Sequence, residues 1–266
     1  MSAKLTPLKT LKNRVWWWLA LFALAISTLA LAPAALIEWA LPQEGSVKFA
    51  ADSGTLWHGR GRVALGVAGQ TLILPVAWSF DPQALWRFRV GYTLSTASPH
   101  VNGTSRVAYG FGELTLTETA LDADAGLLPR LHAAASLLSP SGRVALNQTA
   151  EERLSLRLPS GGKQDWQVDG RITLNTQQLA LGGVVNAAIG SHRAALRGSG
   201  SQVDVSISES RGALKLEGAG HVTLSAPRRV VFAGFATLTS DAPNVLKQLG
   251  TAMPDGRQRI DINSAW

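Results

Sequence analysis

The chain has 266 residues, of which 46% are hydrophobic and 16% charged, and this composition excludes an intrinsically disordered protein. It contains no cysteine, which excludes a disulfide scaffold, a metal site with cysteine ligands and a thiol nucleophile. Its net charge of +7 is concentrated at the amino terminus, where Lys4, Lys9, Lys12 and Arg14 precede every acidic residue. The rest of the chain is nearly neutral, so the sequence predicts no nucleic-acid partner.

An uncharged stretch of 23 residues, Val15–Ile37, follows these basic residues. About 20 apolar residues suffice for a helix that crosses a hydrocarbon core of ~30 Å. Trp18 and Trp39 are separated by about 32 Å of helix, which suits two interfacial aromatic belts. The expected membrane-interface residues are these: Trp16, Trp17, Trp18 and Trp39.

This pattern predicts three regions. They are a cytoplasmic basic tail over residues 1–14, a single transmembrane helix over 15–37 and a β-rich domain over 38–266 on the far side of the membrane. The alternative is a cleaved signal peptide, with Ala30-Leu31-Ala32 or Ala32-Pro33-Ala34 as the cleavage site. The apolar run is longer than a typical signal-peptide core, which favours an uncleaved anchor. Pro33 would kink the helix only near its far end.

Beyond the anchor, apolar residues alternate with polar ones in many short segments. Alternation with a period of two predicts strands with one apolar face. Glycine, asparagine, aspartate and serine separate these segments, which favours short turns and antiparallel pairing. The predicted fold is therefore mainly β, an antiparallel meander or sandwich-like domain. The clearest strand segments are these: Leu72–Phe80, Phe88–Leu94, Leu154–Leu158, Trp166–Leu174, Val203–Ile207 and Val230–Leu238.

Only a few short helices are expected. Asp81-Pro82 is a typical helix start, so one or two turns are predicted over Gln83–Phe88. Further short helices are predicted within Leu127–Leu138 and from Asp241 to Leu249.

The sequence contains no recognisable catalytic or metal-binding motif. The five histidines are scattered, and no phosphate-binding loop or nucleophile elbow is present. Asp122 and Asp124 are more simply a turn or helix cap than a catalytic pair, and His58 is expected in a hairpin turn. We therefore predict no catalytic residues, no metal, no cofactor and no small-molecule substrate.

Basic residues lie on the polar side of the predicted strands, at Arg153, Arg157 and Arg171. One interpretation is that they keep the outer face soluble and protect sheet edges. The other is that this region docks another β-rich protein by strand addition.

Two patches carry a family resemblance. They are Ser53-Gly54-Thr55-Leu56-Trp57-His58-Gly59-Arg60-Gly61, and the strand Leu74–Phe80 with its Trp-x-Phe ending, followed by Asp81-Pro82-Gln83-Ala84-Leu85. Together with the anchor, they resemble the type II secretion system protein N family. The first patch is also similar to envelope proteins of the AsmA type. The motif residues that carry the resemblance are Gly54, Thr55, Leu56, Trp57, Gly59, Trp78, Phe80 and Pro82.

The resemblance implies a single-pass protein of the inner membrane, with a cytoplasmic amino terminus and a periplasmic domain. It implies a non-enzymatic accessory subunit that contacts other secretion subunits of the inner membrane, or the secretin, besides the lipid bilayer. For the motif residues we expect structural roles: turn geometry for Gly54 and Gly59, burial for Trp57 and Trp78, and a helix start for Pro82.

Two other functions stay open. The AsmA-type likeness implies that a sheet with one apolar face holds lipid acyl chains in a groove. An envelope hydrolase would need an acid–base constellation that the sequence does not reveal. A closed sandwich would bury the apolar side chains of the strands, whereas a groove would leave them accessible. The residues that discriminate between these structures are Leu72, Leu74, Trp78, Trp166, Val168 and Leu174.

Overall fold

A computed structural model of the protein describes residues 9–40, 47–67, 70–127, 139–149, 151–157, 166–182, 187–239 and 250–265. Fifteen strands in these ranges form one antiparallel sheet. Their bounds are as follows: β1 Val47–Gly54, β2 His58–Val67, β3 Gln70–Asp81, β4 Val90–Ala97, β5 Val101–Gly110, β6 Glu113–Asp124, β7 Pro140–Asn147, β8 Arg153–Arg157, β9 Gln167–Leu181, β10 Ala187–Ser199, β11 Gln202–Arg211, β12 Leu214–Thr223, β13 Arg229–Leu238, β14 Thr251–Ala252 and β15 Gln258–Ala265.

The sheet is a meander in which nearly every strand pairs with its neighbours in sequence. There are two exceptions. Strands β7 and β8 both lie between β6 and β9, at different positions along them, and β15 lies between β13 and β14. The antiparallel meander is confirmed, but the sandwich-like alternative is wrong, because the described strands form one sheet and no second layer. Short hairpins add each strand next to the last, whereas a sandwich needs connections that cross to another sheet.

The sheet bends strongly around β10 and β11. Cα atoms of β9 approach those of β11 within 8 Å, as do those of β10 and β12. Alternate strands of a flat sheet would lie about 9.6 Å apart, twice the usual strand spacing. The pairing register of β10 shifts between Arg193 and Ala194 and again on either side of Gly190, and such bulges increase twist and bending.

The alternation of side chains matches the prediction along β3. Its even-numbered residues from Leu72 to Phe80 are buried or half-buried on one face, which we call the apolar face. Most apolar side chains on this face stay half-buried, because they are covered by neighbours on the curved sheet instead of a second layer. A small core lies between β10, β12 and β13, and its buried members are Ala187, Ile189, Leu214 and Ala236.

The amino-terminal apolar segment does not form the single predicted helix over residues 15–37. It forms α1, Lys9–Ala30, and a short α2, Ala35–Ala40, separated by residues 31–34 with Pro33 among them. Proline has no backbone N–H and disfavours helical geometry in the preceding residue, which explains the break. Among the described residues, no helix has the combined length and hydropathy needed to cross a membrane.

The helix predicted after Asp81 is present as the 3₁₀ helix η1, Pro82–Arg87. The Asp81 carboxylate accepts a hydrogen bond from the Gln83 N–H at 3.0 Å, as expected of an N-cap. Phe88 ends η1 with φ of 54°, so the following strand begins at Val90, two residues later than predicted. The other two predicted helices fall on residues 128–138 and 241–249, outside the described residues.

Candidate functional site at the helix–sheet junction

The motif that carries the family resemblance forms the turn between β1 and β2. Gly54 has φ of +102°, and a Cβ atom there would lie 2.5 Å from the Cα of Gly59 across the turn. Both facts require glycine. The Thr55 hydroxyl accepts hydrogen bonds from the N–H groups of Trp57 and His58 at 3.3 Å, which closes the turn. His58 lies exposed at its end, where the sequence placed it.

This turn is hydrogen-bonded to the segment that joins α1 to α2, and we call residues 29–34 and 53–59 together the junction. The Ala34 N–H donates to the Gly54 carbonyl at 3.2 Å, and the Leu56 N–H donates to the Ala32 carbonyl at 2.8 Å. The Trp57 indole N–H donates to the Leu29 carbonyl in the last turn of α1, also at 2.8 Å. These bonds satisfy backbone groups that a helix leaves free at its end. They fix the end of α1 to the sheet.

Aromatic rings support the junction from the apolar face. The Trp57 ring packs edge-on against Phe80 with centroids 4.8 Å apart, and Phe80 packs in the same way against Tyr92 at 5.7 Å. Burial raises the pKa of the Tyr92 phenol. Phe80 also donates its N–H to the Trp57 carbonyl at 2.6 Å. The Trp-x-Phe patch therefore lies directly beneath the first motif, although the two are separate in sequence.

Trp78 is the most buried aromatic residue of this group, with 6% of its surface exposed. Its indole lies against Gly59, where a Cβ atom would be only 2.5 Å from the ring, and its N–H donates to the Thr55 carbonyl at 3.2 Å. Phe49 packs edge-on against it with centroids 5.6 Å apart. Gly59 is therefore needed for the close approach of the ring rather than for an unusual φ.

The helix held by the junction exposes its apolar side chains. Trp16, Trp17 and Trp18 are 65%, 77% and 70% exposed, and the leucines that follow them in α1 are at least half exposed. Trp39 on α2 is 87% exposed. Side chains of this kind are normally covered in a soluble protein, so a contiguous exposed set marks an interaction surface. Two residues between the helices, Ala32 and Ala34, contrast with them because they are buried against the turn.

The six residues that distinguish a closed sandwich from a groove differ in their burial. Leu72, Trp78 and Val168 are buried, while Leu74 and Leu174 are half-buried. Trp166 precedes β9 and is 40% exposed, so it is not buried as a closed sandwich would require. The burial comes from neighbours on the same face, so these values describe an open, curved sheet.

The opposite face is polar and carries cross-strand ion pairs, which we call the polar face. Arg153, Arg157 and Arg171 lie on it, as predicted. Glu113 is held between Arg89 and Arg153. Burial alone would raise the pKa of this carboxyl, but the hydrogen bond and charge of Arg153, helped by Arg89, lower it. Sequence reasoning missed Glu113, because its arginine partner is 40 residues away and strand register cannot be read from one sequence.

Sequence reasoning also missed a serine–histidine contact at the bend of the sheet. His192 Nδ1 lies 2.6 Å from Ser210 Oγ, and Ser210 also accepts the Leu216 N–H and donates to the Leu214 carbonyl. The tautomer that satisfies all three bonds has its proton on Nδ1, so the imidazole does not take the serine proton. No residue among those described bonds to its Nε2, and burial lowers the pKa of His192. The pair links β10, β11 and β12 and lacks the third group that orients a catalytic base.

Asp122 and Asp124 both have structural contacts. Asp124 accepts the Gly126 N–H at 2.8 Å at the start of the 3₁₀ helix η2, Ala125–Leu127, so the cap interpretation is confirmed. Asp122 forms an ion pair with Arg143 at 2.6 Å. Within the described residues, no three histidine or acidic side chains are grouped as metal ligands would be.

Comparison with known proteins connects this geometry to a family. A search of curated proteins and a search of solved structures give no match. A family model described as type II secretion system, protein N, matches residues 45–261. The match runs from just before β1 into β15, and so includes the turn, the aromatic patch and nearly the whole sheet. Because it covers well over half of the chain, the protein belongs to the type II secretion system protein N family.

Proposed function

We propose that this protein is a non-enzymatic accessory subunit of the type II secretion system in the inner membrane. In this proposal the apolar run that begins at Val15 anchors the protein through α1, while residues 31–40 lie against the sheet. The amino terminus is cytoplasmic and the sheet is periplasmic. The observation that carries the proposal is the family match over residues 45–261. The family is a structural component of the secretion machine and is not known as an enzyme.

The junction supports the anchoring role. An exposed apolar helix joined by a flexible linker would tether the sheet without orienting it. Here the end of α1 is bonded to the β1–β2 turn through Leu29, Ala32 and Ala34, so a helix held in the membrane also orients the sheet. Orientation matters for a subunit that assembles with others, because it reduces the entropy lost on association.

The polar face supports contact with other proteins of the machine. It presents arginine and carboxylate side chains in exposed pairs, such as Arg106 with Glu118 at 2.8 Å and Arg193 with Glu209 at 2.8 Å. Exposed pairs contribute little to folding stability, typically about 0–1 kcal/mol, so exchanging them for intermolecular pairs costs little. The partners we propose are other secretion subunits of the inner membrane or the secretin.

Photocrosslinking in membranes that contain the complete secretion system tests this function. A photoreactive residue is placed at Arg157 on the polar face or at Leu174 on the apolar face, and adducts are identified by mass spectrometry. Secretion-subunit adducts from position 157, together with loss of export when the gene is deleted, are expected. Loss of export without any contact to another subunit would contradict the proposal.

The open apolar face favours a second candidate, an envelope protein that handles lipid in the manner of AsmA-type proteins. Backbone groups in the sheet are paired between strands, so this face offers side chains and few free hydrogen-bonding groups. An extended peptide on it would leave its own backbone groups unsatisfied, whereas an acyl chain has none. Phospholipid adducts from Leu174, without protein adducts from Arg157, would favour this candidate over the first.

A further inference from the structure

The two edges of the sheet differ. At the first edge, residues 33–40 lie alongside β1: Pro33 forms a β-bridge with Thr55, and the Ala51 N–H donates to the Glu38 carboxylate at 3.5 Å. The junction and α2 therefore cover much of the edge next to the anchor. A covered edge is a common protection against unwanted strand pairing.

The other edge is formed by β15 and is mostly open among the described residues. The two-residue strand β14 pairs only with Gln258 and Arg259. From Ile260 to Ala265, no described strand pairs with the outer side of β15, and Ile262 is 48% exposed. This stretch contains no proline or lysine, the residues that commonly protect an edge.

The backbone bonds show which groups point outward. The Met253 N–H donates to the Arg257 carbonyl at 2.8 Å across the β14–β15 hairpin, so the odd-numbered residues of β15 direct their backbone groups away from β13. On the inner side, the Thr239 N–H donates to the Ala213 carbonyl, so the odd-numbered residues of β13 form hydrogen bonds with β12. The even-numbered residues of β13 therefore form hydrogen bonds with the even-numbered residues of β15. The N–H and C=O groups of Asp261 and Asn263 therefore face the side of β15 on which no described strand pairs.

We propose that this open edge of β15 accepts a strand from another type II secretion subunit in antiparallel pairing. The inference rests on the proposed function, and it specifies the surface and the mode of contact. Strand β14 already pairs antiparallel with the same edge at residues 258–259, which shows that the edge accepts a strand in this geometry. Gly250, which precedes β14, lies against Arg259 and Ile260, so an added strand would continue the pairing from Asp261 to Ala265.

The side chains of β15 define the chemistry of the partner strand. Ile260 and Ile262 lie on the apolar face, and Asp261 and Asn263 lie on the polar face. Asp261 is paired with Arg259 at 2.7 Å, and both side chains are more than half exposed. The fitting partner has apolar residues at alternate positions and a lysine or arginine opposite Asp261.

A second copy of this chain fits the edge less well. Antiparallel pairing of two identical edges would place the two β1–β2 turns at opposite ends of the strand direction. Two anchors held at those turns would then enter the joined sheet from opposite sides, which one membrane does not permit. Self-pairing centred on Ile262 would also place Asn263, not a cation, opposite Asp261.

The position of the edge suits an assembly contact. Twelve strand-to-strand steps separate β1 from β15, which is about 58 Å measured along the sheet at the usual spacing of ~4.8 Å. A partner at β15 therefore pairs with a strand that is remote, along the sheet, from the anchored edge.

A proline substitution separates strand addition from side-chain contact. Asn263→Pro removes an outward N–H, while Asn263→Ala keeps that group and removes only the side chain. Thermal melting of both variants is expected to match the parent within a few degrees, because the bonds between β15 and β13 are made by even-numbered residues. Ile262→Pro, which removes an inward N–H, is the control that should destabilise the sheet.

The readout is a photoreactive phenylalanine analogue at position 262 in membranes with the complete secretion system. We expect an adduct with one secretion subunit, within a segment of the stated pattern. Asn263→Pro should reduce its yield by about 2- to 13-fold, the equivalent of one net hydrogen bond, and Asn263→Ala should leave it unchanged. An equal loss in both variants would overturn backbone pairing.

Three other results would also overturn the proposal. They are an adduct with a second copy of the chain, an adduct with residues 240–249 of the same chain, and no adduct from position 262 while Arg157 still captures a secretion subunit. The last result would leave the proposed function intact. If neither position captures a secretion subunit, the proposed function fails together with the edge proposal.

Discussion

Replacement of Trp57 by phenylalanine is expected to loosen the junction without unfolding the sheet. The indole N–H donates to the Leu29 carbonyl at 2.8 Å, while the ring packs edge-on against Phe80. Phenylalanine keeps an aromatic ring at this position and loses the hydrogen bond. The substitution therefore isolates the bond that joins the end of α1 to the turn.

The size of the effect follows from that bond. An intramolecular hydrogen bond contributes about 0.5–1.5 kcal/mol net, which corresponds to about 2- to 13-fold in the equilibrium between a closed and an open junction. Two backbone amides report on this equilibrium directly. They are Ala34, which donates to Gly54, and Leu56, which donates to Ala32.

Hydrogen–deuterium exchange of the full chain in detergent micelles measures the opening. Exchange at Ala34 and Leu56 should be about 2- to 13-fold faster in Trp57→Phe, with no change in the amides of β10 and β11. Trp86→Phe is the matched control, because the Trp86 ring is 89% exposed. Unchanged exchange at both reporter amides, or equal acceleration across the sheet, would refute the role assigned to this bond.

Three further predictions concern stability. Gly59→Ala should cost about 1–3 kcal/mol in thermal melting, because its Cβ would lie 2.5 Å from the Trp78 ring; Gly126→Ala, whose nearest contact is a side-chain oxygen at 3.2 Å, should cost less. Glu113→Gln should cost about 1.5–3 kcal/mol near neutral pH in urea unfolding. Because the pKa of Glu113 is lowered in the fold, its contribution is present above its unfolded pKa of about 4.3 and is lost as the pH falls through the folded pKa, so the variant should lose less stability on acidification. Burial lowers the pKa of His192 in the fold, whereas in the unfolded chain this side chain binds a proton below about pH 6.5. Stability is therefore lost as the pH falls below that value, and His192→Asn should reduce this loss in the same urea unfolding measurement.

The strands were predictable because alternation is a local signal. The Leu72–Phe80 pattern corresponds to β3, Gln70–Asp81, with the expected residues on the apolar face. The start of η1 was equally local, since Asp81 caps the helix that Pro82 begins. The β1–β2 turn was identifiable from its residue types, but the segment between α1 and α2 to which it is hydrogen-bonded was not.

The errors concern interactions between distant parts of the chain. Hydrophobic content predicted one helix through residue 37, but the backbone groups of Ala32 and Ala34 bond the β1–β2 turn, and that contact is invisible in the local pattern. Alternation likewise indicates that one face is apolar without indicating what covers it. The sandwich alternative failed for that reason. The ion pair of Glu113 with Arg153 depends on the pairing of β6 with β8, which no local signal specifies.

A single layer must cover its own apolar face, and the sheet does so with aromatic rings and curvature. Trp78 lies over Gly59 near the anchored edge, and Phe232 lies close to Gly218 near the open edge, so large rings cover the backbone of neighbouring strands at both ends. The three register shifts of β10 and the bend lie between them, in β9 to β12, while single shifts also occur in β1, β5 and β7. Since bulged pairing leaves fewer regular ladder bonds than straight pairing, we expect changes in the angle between the two ends to occur at β10. A subunit that is fixed at β1 and that binds a partner at β15 would transmit or absorb motion through that bend.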